Sequence, residues 1–172
     1  SFAASALIAR QAKQLGMELQ LLGDTGNATP KFIELGGDAV EGAVIVEPFQ
    51  RLIPPQPGFL PGLREITRRH GILLVFDEVV TGFRLAYGGA QERYGVVRDL
   101  ACYGKAISGG FPLAAVVGNA QVMSVLDARS RPKAECVWAT NTLNGNPVCA
   151  AAGLAALDVL ALPGTYERLR HI

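Results

Sequence analysis

The chain is short of charge, of cysteine and of basic clusters. Only 18% of its 172 residues are charged, and the 16 basic side chains nearly cancel the 15 acidic ones, leaving a formal net charge of +1. No Lys/Arg cluster is interleaved with aromatics, which excludes an argument for nucleic-acid binding. The densest basic run, Arg64 to Arg69, falls on a predicted helix and reads as a solvated face. Three cysteines, Cys102, Cys136 and Cys149, are too widely spaced to suggest a disulfide framework or a metal site. No stretch reaches the ~18 consecutive apolar residues of a membrane span, and no secretory signal opens the chain, so a soluble, cytoplasmic protein with no membrane partner is expected.

What is abundant is apolar. Hydrophobic residues make up 49% of the chain, and the mean hydropathy is +0.25. Such a composition suits a mostly buried parallel sheet within a single domain. Near-helical spacing predicts a helix over 2–15, and a short strand is expected over 18–22. The turn Gly23-Asp24-Thr25-Gly26-Asn27 follows, then a short helix begun by Thr29-Pro30. Further strands are expected at Ala43 to Val46, ended by Glu47-Pro48, at Ile72 to Phe76, at Leu100 to Tyr103 and at Leu113 to Val117. An amphipathic helix with Leu63, Ile66 and His70 near one face precedes Gly71. Helices are also expected at Gln121 to Leu126, Pro147 to Leu160 and Tyr166 to His171, with loop between 127 and 138. Strands alternating with helices predict an α/β fold, three-layer α/β/α with a mostly parallel sheet of flavodoxin-like or Rossmann-like character. The last connection is too short for a crossover helix, so the last strand should run antiparallel.

Two of these strands end on reactive residues. One apolar run finishes at Asp77, and another at Gly104-Lys105. In an open α/β sheet the carboxyl edge is where ligands bind. An acid and an amine there suit an aldehyde cofactor with a basic ring nitrogen. The amine can form a Schiff base, and the acid can keep the ring nitrogen protonated.

The segments AVIVEPF (43–49), LLVFDEVVTGFR (73–84), DLACYGKAISGGFPLAAVVG (99–118) and NTLNGNPVCAAAGLAAL (141–157) resemble the class III, pyridoxal-phosphate-dependent aminotransferases, in the family's order. Among these they look most like the glutamate-1-semialdehyde aminomutases. The resemblance implies that Lys105 is the Schiff-base lysine and that Asp77 pairs with the pyridine nitrogen of pyridoxal phosphate. It also implies that Val79 packs on one ring face, that Glu47 lies near the ring, and that Thr142 contacts the phosphate, usually that of a neighbouring subunit. Val80 stands where many members have a Gln that reaches the ring hydroxyl, so that contact is absent. The family's N-terminal phosphate-binding turn and stacking aromatic are not found here, and its C-terminal small domain is cut short.

Residues 2–43 resemble instead the type I periplasmic binding proteins of the branched-chain amino acid kind. Together the two resemblances imply an engineered chimera spliced near Gly42-Ala43. It would be one domain: a binding-protein-like segment (1–42), an aminotransferase core (43–126), and a loop with C-terminal helices (127–172) as candidates for self-association. Three readings follow. The chain is a fold without physiological turnover, binding pyridoxal phosphate weakly at most; or it is an active aminotransferase or aminomutase; or it is a small amino-acid-binding module with Asp24 as a remnant of the cleft.

Overall fold

The computed structural model describes residues 44–49, 53–129, 132–133, 136–137 and 142–171. The helix, strand and short helix expected before residue 43, and Asp24, lie outside the described residues.

Three strands run parallel: β1 (Val44–Val46), β2 (Leu74–Asp77) and β3 (Leu100–Tyr103). The sheet order is β1-β2-β3-β4, with β4 (Ala115–Gly118) antiparallel to β3. Ile45 pairs with Val75, Phe76 with Ala101 and Asp77 with Cys102. This is an α/β fold whose mostly parallel sheet ends in an antiparallel strand, as the short connection required. Pairing in β4 starts at Ala115 rather than Leu113, because the Leu113 N–H is taken by the Phe111 carbonyl in the preceding turn.

Helix α1 (Phe59–Arg69) links β1 to β2, and a six-residue helix, α2 (Gly89–Tyr94), links β2 to β3. Alternate strand residues point to one face, and that face holds the core. Leu74, Phe76, Ala101 and Tyr103 pack with Leu60 of α1, Ala90 of α2, Val96 and Ile107. On α1 the inward positions are Leu60, Leu63, Arg64 and Thr67, an i, i+3, i+4, i+7 stripe. This corrects the face expected from sequence: Ile66 is 53% exposed and His70 is an exposed C-cap.

The basic run is corrected too. Arg64 is not solvated; its guanidinium donates to Asp99 Oδ2 at 2.8 Å, and the same oxygen accepts the Leu74 N–H at 2.7 Å. Asp99 thereby ties α1 to the amino-terminal ends of β2 and β3.

After β4 come α3 (Ala120–Met123), a 3-10 turn (Ser124–Leu126), α4 (Pro147–Leu160) and α5 (Thr165–Leu169). Asn119 and Asn146 cap α3 and α4 with their side-chain oxygens, and Pro147 occupies the first turn of α4, where a missing N–H costs nothing. No described helix is long and apolar enough to cross a membrane.

Candidate active site

The strand order sets Glu47, Asp77 and Gly104-Lys105 along one carboxyl edge of the sheet, each just at or beyond the end of β1, β2 or β3. Asp77 is half-buried, and its Oδ1 accepts the Val79 N–H at 3.0 Å. The Glu78 N–H carries the ladder one step further by donating to the Cys102 carbonyl at 2.9 Å. Val79 then turns back over the neighbouring strand. A Cβ added at Gly104 would lie 3.5 Å from Val79 Cγ1, so the valine packs directly on the backbone preceding the lysine.

Lys105 is exposed and opens a 3-10 turn, Lys105–Ser108. Its φ of 48° lies in the left-handed region, a conformation that costs a non-glycine residue roughly 1–3 kcal/mol and concentrates at functional sites. The turn is held from behind. Ser108 Oγ donates to the Phe111 carbonyl, and α4 packs against the turn, with Gly153 close enough that a Cβ there would meet Leu113 Cδ2 at 2.6 Å.

The structure thus places four of the five site residues suggested by sequence, Glu47, Asp77, Val79 and Lys105, at one edge. Thr142 is exposed in the turn before α4, and no hydrogen bond among the described residues joins it to Asp77 or Lys105. Val80 offers its carbonyl to Arg84 at 2.8 Å.

Two residues of this edge escape a reading by motif. Cys102 pairs with Asp77 across the sheet. Burial, and secondarily the Asp77 charge, push its thiol up to about 11. The thiol therefore stays protonated and is no nucleophile at neutral pH. Glu78 is fully buried, with both carboxylate oxygens accepting from the N-terminus of α2 and from Thr81. The signal was available: Leu74, Phe76 and Glu78 share the inward register of β2. Glu78 also helps burial raise the Tyr103 hydroxyl above its ordinary value, an effect that Arg98 opposes.

A cleft of about 300 Å³ lies at the opposite, amino-terminal edge, and Arg64, Arg68, Asp99 and Asn119 are among its lining. Its charged pair, Arg64 and Asp99, is already joined. No group of three or more His, Cys, Asp or Glu among the described residues could hold a metal. The reactive amine and acid are both at the carboxyl edge.

The residues there fit a pyridoxal-phosphate site in kind: an exposed amine, an oriented carboxylate one strand away, and a branched apolar side chain against the intervening backbone. Residues 28–172 match the family described as Aminotransferase class-III. The glutamate-1-semialdehyde 2,1-aminomutase of Pelotomaculum thermopropionicum is 46% identical over 172 residues, covering 98% of this chain and 36% of that protein. An omega-transaminase crystal structure from Sphaerobacter thermophilus matches with a TM-score of 0.65 at 45% identity, over 76% of this chain and 30% of that one. An amine transaminase from an uncultivated Pseudomonas species, in a PLP-bound form, matches with a TM-score of 0.62 at 34% identity, over 76% of this chain and 30% of that one. The chain spans about a third of the length of these relatives. Both the family match and the aminomutase alignment extend across Gly42-Ala43, so neither supports a binding-protein segment spliced there. With the edge geometry, the flanking motifs and these matches in agreement, the chain belongs to the class III aminotransferases.

Proposed function

We propose that this chain forms the lysine-bearing core of a pyridoxal-phosphate site that transfers an amino group on a small amino acid of the glutamate-1-semialdehyde type. The observation that carries the reading is the placement of Asp77 and Lys105 at the carboxyl ends of neighbouring parallel strands, with Val79 packed on Gly104. Bound there, the cofactor would supply an aldehyde carbon and a ring that accepts electrons. The rest of the chemistry belongs to the protein. Asp77, with one oxygen fixed by the Val79 N–H, leaves the other to pair with a protonated ring nitrogen. The Lys105 amine would hold the aldehyde and would carry protons to and from the substrate carbon. Val79 would hold one ring face, and Glu47 would line the same edge.

Thr142 would reach a phosphate from a second subunit. Self-association would use α4, where Val148, Leu154 and Val159 are each more than 60% exposed. The similarity to an aminomutase over nearly the whole chain favours an amino-acid substrate, and the similarity to amine transaminases makes a simple amine the second reading. A chimera without turnover and an amino-acid-binding module have no observation of their own in favour.

The test is a single half-transfer. The chain is loaded with pyridoxal phosphate, mixed with an L-amino acid or an aliphatic amine, and assayed for the amine form of the cofactor. Transfer that is faster with the amino acid and absent in Lys105→Ala is expected. Cofactor that stays in the aldehyde form with every donor would contradict the proposal.

A further inference from the structure

The buried carboxylate of Glu78 has a shape and position that simple capping does not require. It is 0% exposed and takes four hydrogen bonds. Thr81 Oγ1 donates to Oε2 at 2.7 Å, the Ala90 N–H reaches both oxygens at 2.9 and 3.0 Å, and the Gln91 N–H reaches Oε1 at 3.3 Å. The loop from Val79 to Gly89 is therefore closed on itself through one side chain. Gly89 makes this possible: its φ is +68°, and a Cβ there would stand 2.5 Å from Glu78 Oε2. The Glu78 carbonyl holds the same loop from its other end by accepting the Gly82 N–H at 2.8 Å.

The backbone of Glu78 is the link between Asp77 and Val79. If its side chain is fixed, the Val79 N–H is aimed at Asp77 Oδ1, and the Val79 methyls are set against Gly104. We propose that Glu78 is a positioning residue for the cofactor edge, setting the orientation of the Asp77 carboxylate and the height of Val79 in front of Lys105. The inference rests on reading Asp77 as the acid that faces the cofactor ring, but the geometry it asserts exists in the chain without ligand.

The substitution Glu78→Gln keeps the shape and replaces one acceptor oxygen with a donor that must face an N–H or the Thr81 hydroxyl. In the 172-residue chain, amide hydrogen exchange at Val79, Ala90 and Gln91 should accelerate roughly tenfold or more, while Leu74 and Ala101 keep their protection. The Val79 amide and methyl chemical shifts, which report its bond to Asp77 Oδ1 and its packing on Gly104, should move in the variant's NMR spectrum. Asp99→Asn, at the opposite edge, serves as a control that lowers stability and should leave the Val79 amide and methyl signals where they were.

If Glu78→Gln does not fold, Thr81→Val removes one donor and keeps the carboxylate, and it should give smaller changes of the same kind at Val79. Val79 chemical shifts and Val79 protection unchanged in the folded variant would overturn the proposal and leave Glu78 as a cap for α2. Either result is independent of whether pyridoxal phosphate binds, so it is separable from the failure of the functional reading.

Discussion

Replacing Gly82 with Ala should damage both the fold and the edge that carries Lys105. A Cβ at this position would lie 2.4 Å from Tyr103 Cδ1, 2.6 Å from Cε1 and 2.7 Å from the Glu78 carbonyl oxygen. None of these neighbours yields cheaply. The Tyr103 ring packs on Phe83 with centroids 5.1 Å apart, and its hydroxyl accepts from Arg98 at 3.2 Å. The Glu78 carbonyl is bonded to the Gly82 N–H itself. Overpacking of this kind costs about 1–3 kcal/mol. For a chain of this size that lowers Tm by roughly 2–12 °C, at ~2–4 °C per kcal/mol. The same substitution at Gly62, inside α1, meets nothing within 4 Å and should stabilise by about 1 kcal/mol through helix propensity alone. Thermal unfolding followed by circular dichroism on the two variants and the parent gives the comparison. A Gly82→Ala protein melting at or above the parent would refute the packing argument, because the displaced ring would then have had room.

Two further outcomes follow from single groups. Asp99→Asn leaves Arg64 without its carboxylate and should lower the stability read from a urea midpoint by roughly 1.5–3 kcal/mol, the range for hydrogen bonds to charged groups. Being at the opposite edge, it should leave Lys105 untouched. The Cys102 thiol, raised from 9.0 to about 11 by burial first and Asp77 second, should be alkylated about a hundredfold more slowly at pH 8 than a free thiol. Because the folded chain holds that proton more tightly, the associated stability is intact below pH 9.0 and is lost as pH rises through about 11. Denaturant midpoints of the parent and Cys102→Ala across that range should converge as pH rises.

The strands bearing Asp77 and Lys105 were legible because each is a continuous apolar run ending in one charged residue, and tertiary context did not alter that signal. Helix α4 was legible for a local reason, the Asn146-Pro147 start before an alanine-rich run. Helix α2 was missed, since Gly89–Tyr94 has no apolar period and its N-terminal amides at Ala90 and Gln91 are capped by Glu78, 12 and 13 positions back in the chain. The role of Arg64 was obscured by its company: a cluster of arginines reads as solvated, and only the helical spacing from Leu60 and Thr67 reveals the inward one. Thr142 rests on family resemblance alone, because the contact proposed for it lies between subunits and would leave no mark in the packing of one chain. The same holds for the binding-protein likeness of residues 2–43, which an alignment across the proposed junction does not support.

The most direct measurement titrates the chain with pyridoxal phosphate, reduces the adduct with borohydride and maps the modified peptide by mass, with Lys105→Ala alongside. A visible absorption band and a label confined to Lys105, both lost in the variant, are the predicted result. Label spread over Lys13, Lys31, Lys105 and Lys133, unchanged in total by the substitution, would contradict the claim that this edge of the sheet is a cofactor site.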